Sequence, residues 1–266
     1  MAATRGGCFG PALLATNRDH AVKVDLLTTC LTDTFFPQVA VSVVNVLRRL
    51  GLEVDLPADQ TCCGQPAFNS GLLDEAREVA VHTLDVFEDS ETVVTPSGSC
   101  CAMVRQHYPM LFADDEKDLA RARALGAKLF EFVEFLEKVL KVDWGPWRLR
   151  YRASATYHYS CHLRGLGMTD EVPRLLARID GLDYRPLEKL DQCCGFGGTF
   201  SVKYSHISEA LVNDKADCVE RTGAEVLVCN DGGCTLNIGG LLHRRGSPIR
   251  LMHAAELLDV AMNAQG

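Results

Sequence analysis

Two periods of apolar residues alternate along this chain. Ala21-Val22-Lys23-Val24-Asp25-Leu26-Leu27 reads as a strand, and Val39 to Leu50 as an amphipathic helix that Gly51 ends. A short extended stretch from Glu53 to Leu56, a helix over about Leu72–Phe87 and a strand over Thr92–Thr95 follow. A last helical piece covers Ala127–Leu140. The pattern then begins again. Ala155–Tyr159 reads as a strand, Glu171–Ile179 as a helix ended by Gly181, and Asp183–Leu187 as extended. Ser208–Thr222 reads as a helix, Glu225–Cys229 as a strand and His253–Ala261 as a helix. Strands alternating with helices argue for α/β units on largely parallel sheets, here two small ones. The helical pattern halts at Gly145-Pro146, which places a domain boundary there. The expected organisation is an extension over residues 1–20, a first domain over 21–146 and a second over 147–266.

Cysteines show that the second half repeats the first. Cys30 and Cys161, Cys62 and Cys193, and Gly64 and Gly195 are each 131 positions apart (161 − 30, 193 − 62, 195 − 64). Cys100 and Cys234 are 134 apart, a slight drift. Each half thus offers a single cysteine where a strand ends, then Cys-Cys-Gly, then a cysteine in a glycine-containing loop. In open α/β sheets that edge holds the ligand, so four thiols from separate loops converge there.

Composition narrows what those thiols do. The chain has 266 residues, 47% hydrophobic and 23% charged, enough for a buried core and against wholesale disorder. Its net charge of −8 disfavours a nucleic-acid backbone as partner. No apolar run approaches the ~18–20 residues of a membrane span. The first twenty residues lack the apolar stretch of an export signal, so the expected compartment is the reducing cytoplasm. Twelve cysteines there point to metal or redox chemistry rather than structural bridges.

Thiolates are soft donors that suit iron–sulfur clusters or zinc. Adjacent cysteines point their side chains apart, which fits a multi-iron cluster better than one small zinc ion. Gly64 and Gly195 permit positive φ and a close backbone approach. Cys8, Cys101, Cys218 and Cys229 have no counterpart in the other half and read as core residues. Ser97 and Asp231, three positions before the last cysteine of each half, read as turn caps, with an oxygen ligand as the alternative. His158 and His162 flank Cys161 and read as surface residues, with ligand or proton donor as alternatives. Phe68 and Phe200 follow the two Cys-Cys-Gly tripeptides and read either as shields over a cofactor or as a docking rim.

Two Cys…Cys-Cys-Gly…Cys modules resemble the cysteine-rich CCG domain of heterodisulfide reductases and of the iron–sulfur subunits of glycolate and anaerobic glycerol-3-phosphate dehydrogenases. More narrowly, Thr29-Cys30-Leu31-Thr32-Asp33, the run from Gln60 through Cys62-Cys63-Gly64 to Gly71, Ser97-Gly98-Ser99-Cys100 and the run from Cys193 to Lys203 resemble the lactate utilisation protein A family. The likeness runs from about residue 21 to the end. It implies two CCG domains with clusters, 4Fe–4S by type, at the strand C-terminal edges. Their ligands would be Cys30, Cys62, Cys63 and Cys100, and Cys161, Cys193, Cys194 and Cys234. The broader CCG pattern ends in C-x-x-C, whereas Ser97 and Asp231 stand at the first position of that pair here. That departure sets an ordinary 4Fe–4S cluster, in one half or both, against a five-cysteine non-cubane cluster.

The resemblance further implies an iron–sulfur component of an L-lactate-oxidising system, working with lactate utilisation proteins B and C, of which B is ferredoxin-type. No G-x-G-x-x-G lies between a strand and a helix, so the chain reads as an electron-carrying subunit of an oxidoreductase rather than a complete enzyme. The alternatives are a related subunit whose cluster iron handles a thiol or 2-hydroxy acid directly, and a zinc-stabilised interaction module without a redox role.

Overall fold

The computed structural model describes residues 22–264; the extension expected over residues 1–20, with Cys8, lies outside the described residues. Strand β1 (Lys23–Leu26) buries Val24, Asp25 and Leu26 in succession, as an interior parallel strand covered on both faces does. Helix α1 (Cys30–Phe35) follows, then α2 (Pro37–Arg49), which Pro37 opens with its fixed φ and Arg48 and Arg49 close at the negative end of the dipole. After β2 (Glu53–Asp55) come α3 (Gln65–Asn69), α4 (Leu73–Val86) and β3 (Val93–Thr95). Helix α5 (Gly98–Ala102) continues through wide turns into α6 (Tyr108–Leu111). Helix α7 (Glu116–Lys128), β4 (Leu129–Glu131) and α8 (Phe132–Glu134), whose turns run on to Leu140, complete the first unit. The second unit holds β5 (Arg150–Tyr157), α9 (Cys161–Gly165), α10 (Glu171–Leu176), β6 (Asp180–Tyr184), α11 (Phe200–Lys203) and α12 (Ser205–Arg221). It ends with β7 (Val226–Cys229), α13 (Gly232–Arg244), β8 (Arg250–His253) and α14 (Ala254–Asn263).

Both sheets have four strands, ordered β2-β1-β3-β4 and β6-β5-β7-β8, and every pairing is parallel. This is the duplicated parallel α/β architecture expected from the repeat. Two strands were not expected from the sequence. The helix expected over Ala127–Leu140 is interrupted by β4, whose Leu129 pairs with Val93, and β8 precedes the helix expected from His253. Runs of three or four residues carry too little periodicity to announce themselves, and pairing with β3 and β7 overrides local helix preference. The second unit's first edge strand also starts earlier than expected, at Asp180 rather than Asp183. Helix α7 accounts for a later change in spacing between the halves. Leu129 and Arg250 are 121 apart where Cys100 and Cys234 are 134 apart, and the difference of 13 is the length of α7.

The main core belongs to neither half. Val43, Val46 and Leu47 of α2, Phe132, Val133, Phe135 and Leu136, Val172, Leu175 and Leu176 of α10, and Leu257, Leu258 and Ala261 of α14 form one buried cluster. Helix α14 lies along α2. There Asn45 Nδ2 donates to Asp259 Oδ2 (2.9 Å) and Arg49 pairs with Asp259 Oδ1 (2.5 Å). In the reciprocal place, the turns after α8 meet α10 through Lys138–Glu171 (3.0 Å), and Glu137 accepts from Arg178 (2.7 Å). The last helix of each half thus covers the other half. Smaller clusters close the outer faces under α4 with α7, and under α12 with α13.

Leu258 is 1% exposed in this shared core. Leu258→Ala is expected to cost about 2–5 kcal/mol and to lower the urea midpoint. Circular dichroism and tryptophan fluorescence should move together in one transition. Separated transitions would show that each half has its own core.

Candidate metal centre

In each sheet the strand order reverses between the first and third strands of the repeat, β1 and β3 or β5 and β7, which opens a crevice at their C-terminal ends. Cys30 opens α1 after β1, and Cys161 opens α9 after β5. Cys100 and Cys234 were expected in loops. They instead sit in the first turns of α5 and α13, because side-chain caps start those helices early. Ser97 Oγ accepts from Cys100 N (3.3 Å), and Asp231 Oδ1 accepts from Gly233 N (3.1 Å). Ser97 and Asp231 are therefore helix caps, in line with the turn-capping expectation. The two Cys-Cys-Gly segments follow β2 and β6. Gly64 and Gly195 both have φ near +81°, and a Cβ on Gly195 would lie 2.7 Å from Ser208 O, so only glycine makes this turn.

All eight repeated cysteines line one cavity of about 170 Å³ between the halves. Each quartet has an inner and an outer pair. The inner pairs are buried, with sulfur–sulfur distances of 3.3 Å for Cys63–Cys100 and 3.1 Å for Cys194–Cys234. The outer pairs are more open: Cys30 and Cys62 are half-buried at 3.6 Å, and Cys161 and Cys193 are exposed. A side chain from beyond the fourth cysteine fixes each tripeptide. Tyr108 OH donates to Cys63 O (2.9 Å) and Asn237 Nδ2 to Cys194 O (2.8 Å). Hydrogen bonds from Cys30, then from Cys63 and backbone N–H groups, hold the Cys62 thiol well below its usual range. Cys161, Cys194 and Gly195 N do the same for Cys193. In each quartet one thiol is thus drawn towards the thiolate, the form that ligates metal.

A buried polar belt joins the two crevices. Asp231 Oδ2 accepts from Ser99 N (2.9 Å) and Ser97 Oγ (3.3 Å) of the other half. Glu131 caps α8 and accepts from Asn230 Nδ2 (2.9 Å), while His253 caps α14 and lies 3.0 Å from Pro96 O. Gly98 lies at this junction because a Cβ there would come within 2.9 Å of the Leu163 side chain.

His158 departs from the surface position expected of it. It is 1% exposed, neither ring nitrogen has a hydrogen-bond partner, and a ring nitrogen and the sulfurs of Cys194 and Cys234 lie within 4.8 Å of one another. Burial pulls it down to about 4, so the ring is neutral near pH 7. The available signal was its position 131 residues after Leu27, at the end of a buried strand. His162 is half-buried in the cavity wall, 3.4 Å from Gln65 Nε2. Cys101, Cys218 and Cys229 are buried in the core and do not line the cavity. Phe68 is half-buried against His107 and Phe200 is half-buried against Tyr204; the aromatic ring on the cavity is Phe196. A wider cleft, about 910 Å³, lies elsewhere, around Val142–Arg150 and Arg178, and is lined by no cysteine or histidine.

The cysteine-rich CCG domain model matches residues 24–105 and again 155–239. The chain is 48% identical over 241 residues to lactate utilization protein A of Exiguobacterium sp., covering 89% of this chain and 97% of that one. Identity to lactate utilization protein A of Geobacillus kaustophilus is 49% over 239 residues, covering 90% and 99%. Among solved structures, a glutamate racemase of Bacillus anthracis aligns over 92% of this chain and 81% of that one, at 10% identity and a TM-score of 0.37. That likeness is too weak to bear on chemistry.

Burial pushes the Glu131 carboxyl from its ordinary 4.5 up to about 7, against the hydrogen bonds that favour its charged form. A raised carboxyl contributes stability that is complete below about pH 4.5 and is lost as pH rises through 7. Glu131→Gln keeps an acceptor for the α8 N–H groups, and its amide can donate to the unpaired Asn230 Oδ1 once Asn230 turns over. The variant should gain on the parent by on the order of 3 kcal/mol between those pH values. Buried His158 and His253 titrate oppositely but equally in both proteins, so the difference between urea melts isolates Glu131. A pH-independent difference would show that Glu131 does not titrate there.

Proposed function

The chain belongs to the lactate utilization protein A family of cysteine-rich CCG-domain proteins, and from that membership we propose that it is an iron–sulfur component of a multi-subunit L-lactate-oxidising system. The observation that carries this reading is the convergence of eight cysteines on one cavity. Cys30, Cys62, Cys63 and Cys100 would hold one cluster, and Cys161, Cys193, Cys194 and Cys234 a second, of the 4Fe–4S type. The donors are suited to it: eight soft sulfurs, with one thiol in each quartet held below its usual range. A cavity of about 170 Å³ is on the order of ten times what one water needs.

A bound cluster supplies a one-electron redox centre. The protein's part is to set its surroundings. Gly195 N lies 3.3 Å from Cys193 Sγ as a donor to that sulfur. Leu31, Pro66 and Phe196 face the cavity and keep water from the inner pairs. In this reading the chain passes on electrons from lactate oxidation to a ferredoxin-type partner, lactate utilisation protein B, alongside protein C, in the cytoplasm. Among the described residues no helix is long and apolar enough to cross a membrane.

Anaerobic purification with iron and sulfide determination and an EPR spectrum tests the assignment. Cys62→Ser and Cys193→Ser should each lose the iron and sulfide of one half, because a hydroxyl is a harder and poorer ligand. Cys218→Ser should keep both, since that thiol is in the core. Zinc in place of iron and sulfide would overturn the electron-transfer role.

A further inference from the structure

We propose that His158 is a metal ligand of the second quartet, joining Cys194 and Cys234 in a mixed imidazole–thiolate site that the first half lacks. The proposal rests on the metal-binding reading above and adds to it a donor from outside the repeated cysteines.

The two halves place the same backbone at this point. Leu27 N donates to Val94 O at 2.9 Å, and His158 N donates to Val228 O at 2.9 Å. Leu27 and His158 are 131 positions apart, the spacing of the first three cysteine landmarks. Leucine fills the position in one half, so packing alone does not call for an imidazole in the other. A buried polar ring with no partner on either nitrogen is costly, and native chains seldom retain one without a use. The nearby ionisable groups do not supply that use. Asp231 is bonded to Ser99 N and Gly233 N, and the buried Lys215 Nζ donates to Lys189 O at 2.7 Å. What His158 does have within 4.8 Å is a pair of buried thiols.

Nitrogen and sulfur donors together suit iron and zinc. Four thiolates and an imidazole give the second site a donor set that the first lacks, so the two centres differ in potential. The duplication would then have produced two centres of different potential from one template.

The test uses the whole chain carrying ¹⁵N-labelled histidine, loaded anaerobically with iron and sulfide and reduced with dithionite. Pulsed EPR should show a histidine-nitrogen coupling that survives His162→Ala and disappears in His158→Leu. The latter variant copies the residue of the first half and should fold, as circular dichroism will report. In redox titration the potential of its second centre should move towards that of the first. Loaded iron and sulfide with no nitrogen coupling, or a coupling that persists in His158→Leu, overturns the ligand and leaves the iron–sulfur function standing. If His158→Leu fails to fold, loss of the coupling in His162→Ala alone overturns the proposal and its survival supports it. Titration of the unloaded chain with Co²⁺ separates the two readings. A nitrogen-coupled cobalt site without iron–sulfide uptake supports the ligand and sinks the cluster, and no metal at the second quartet sinks both.

Discussion

The Asp231 carboxylate serves both halves at once. One oxygen caps α13 and the other accepts from Ser97 and Ser99 at the start of α5. Because it is 4% exposed, it has little water to fall back on, and the two helix starts are held in a fixed relation. Those helices present Cys100 and Cys234, the inner sulfurs of the two quartets. The cysteine geometry therefore depends on a polar junction between two sheets as much as on the Cys-Cys-Gly turns. Glu131 with Asn230, and His253 with Pro96 O, extend the junction on either side. Each joins the cap of one half's last helix to the strand end of the other.

Much of this is legible in the sequence because cysteine and glycine leave little freedom. The equal spacing of Cys30, Cys62 and Gly64 from their counterparts establishes the duplication, and strands next to cysteines place the sulfurs at the sheet edge. Short edge strands are not legible. Leu129-Phe130-Glu131 reads locally as part of a helix and becomes a strand only through pairing with β3. Glu131 itself resembles a helix surface charge until that strand carries it into the interior, where it is fully buried. His158 is misplaced by its sequence context for a related reason. In Tyr157-His158-Tyr159-Ser160 it looks like a polar residue ahead of a loop, yet β5 is an interior strand covered on both faces, so its end lies in the core.

The duplication has not stayed symmetric. The first half carries the additional helix α7, and its outer cysteines are half-buried where those of the second half are exposed. Position for position, Leu27 faces one quartet and His158 the other. Duplicated units that share a core are constrained in packing, because a change in one is felt by its twin. The cavity wall carries less of that constraint. Divergence is accordingly found at the sulfur sites and the outer layer, while the exchange of terminal helices is preserved.

That exchange also sets an order of events. Asn45 on α2 meets Asp259 on α14, 214 positions further along the chain, and the groove along α2 is filled by α14. Contacts of such long range form late, after much of the chain is already collapsed. Until α14 docks there, the first sheet lacks one cover and α2 keeps an open apolar flank. A group held by both quartets would then meet its complete cavity only after the second half has folded onto the first.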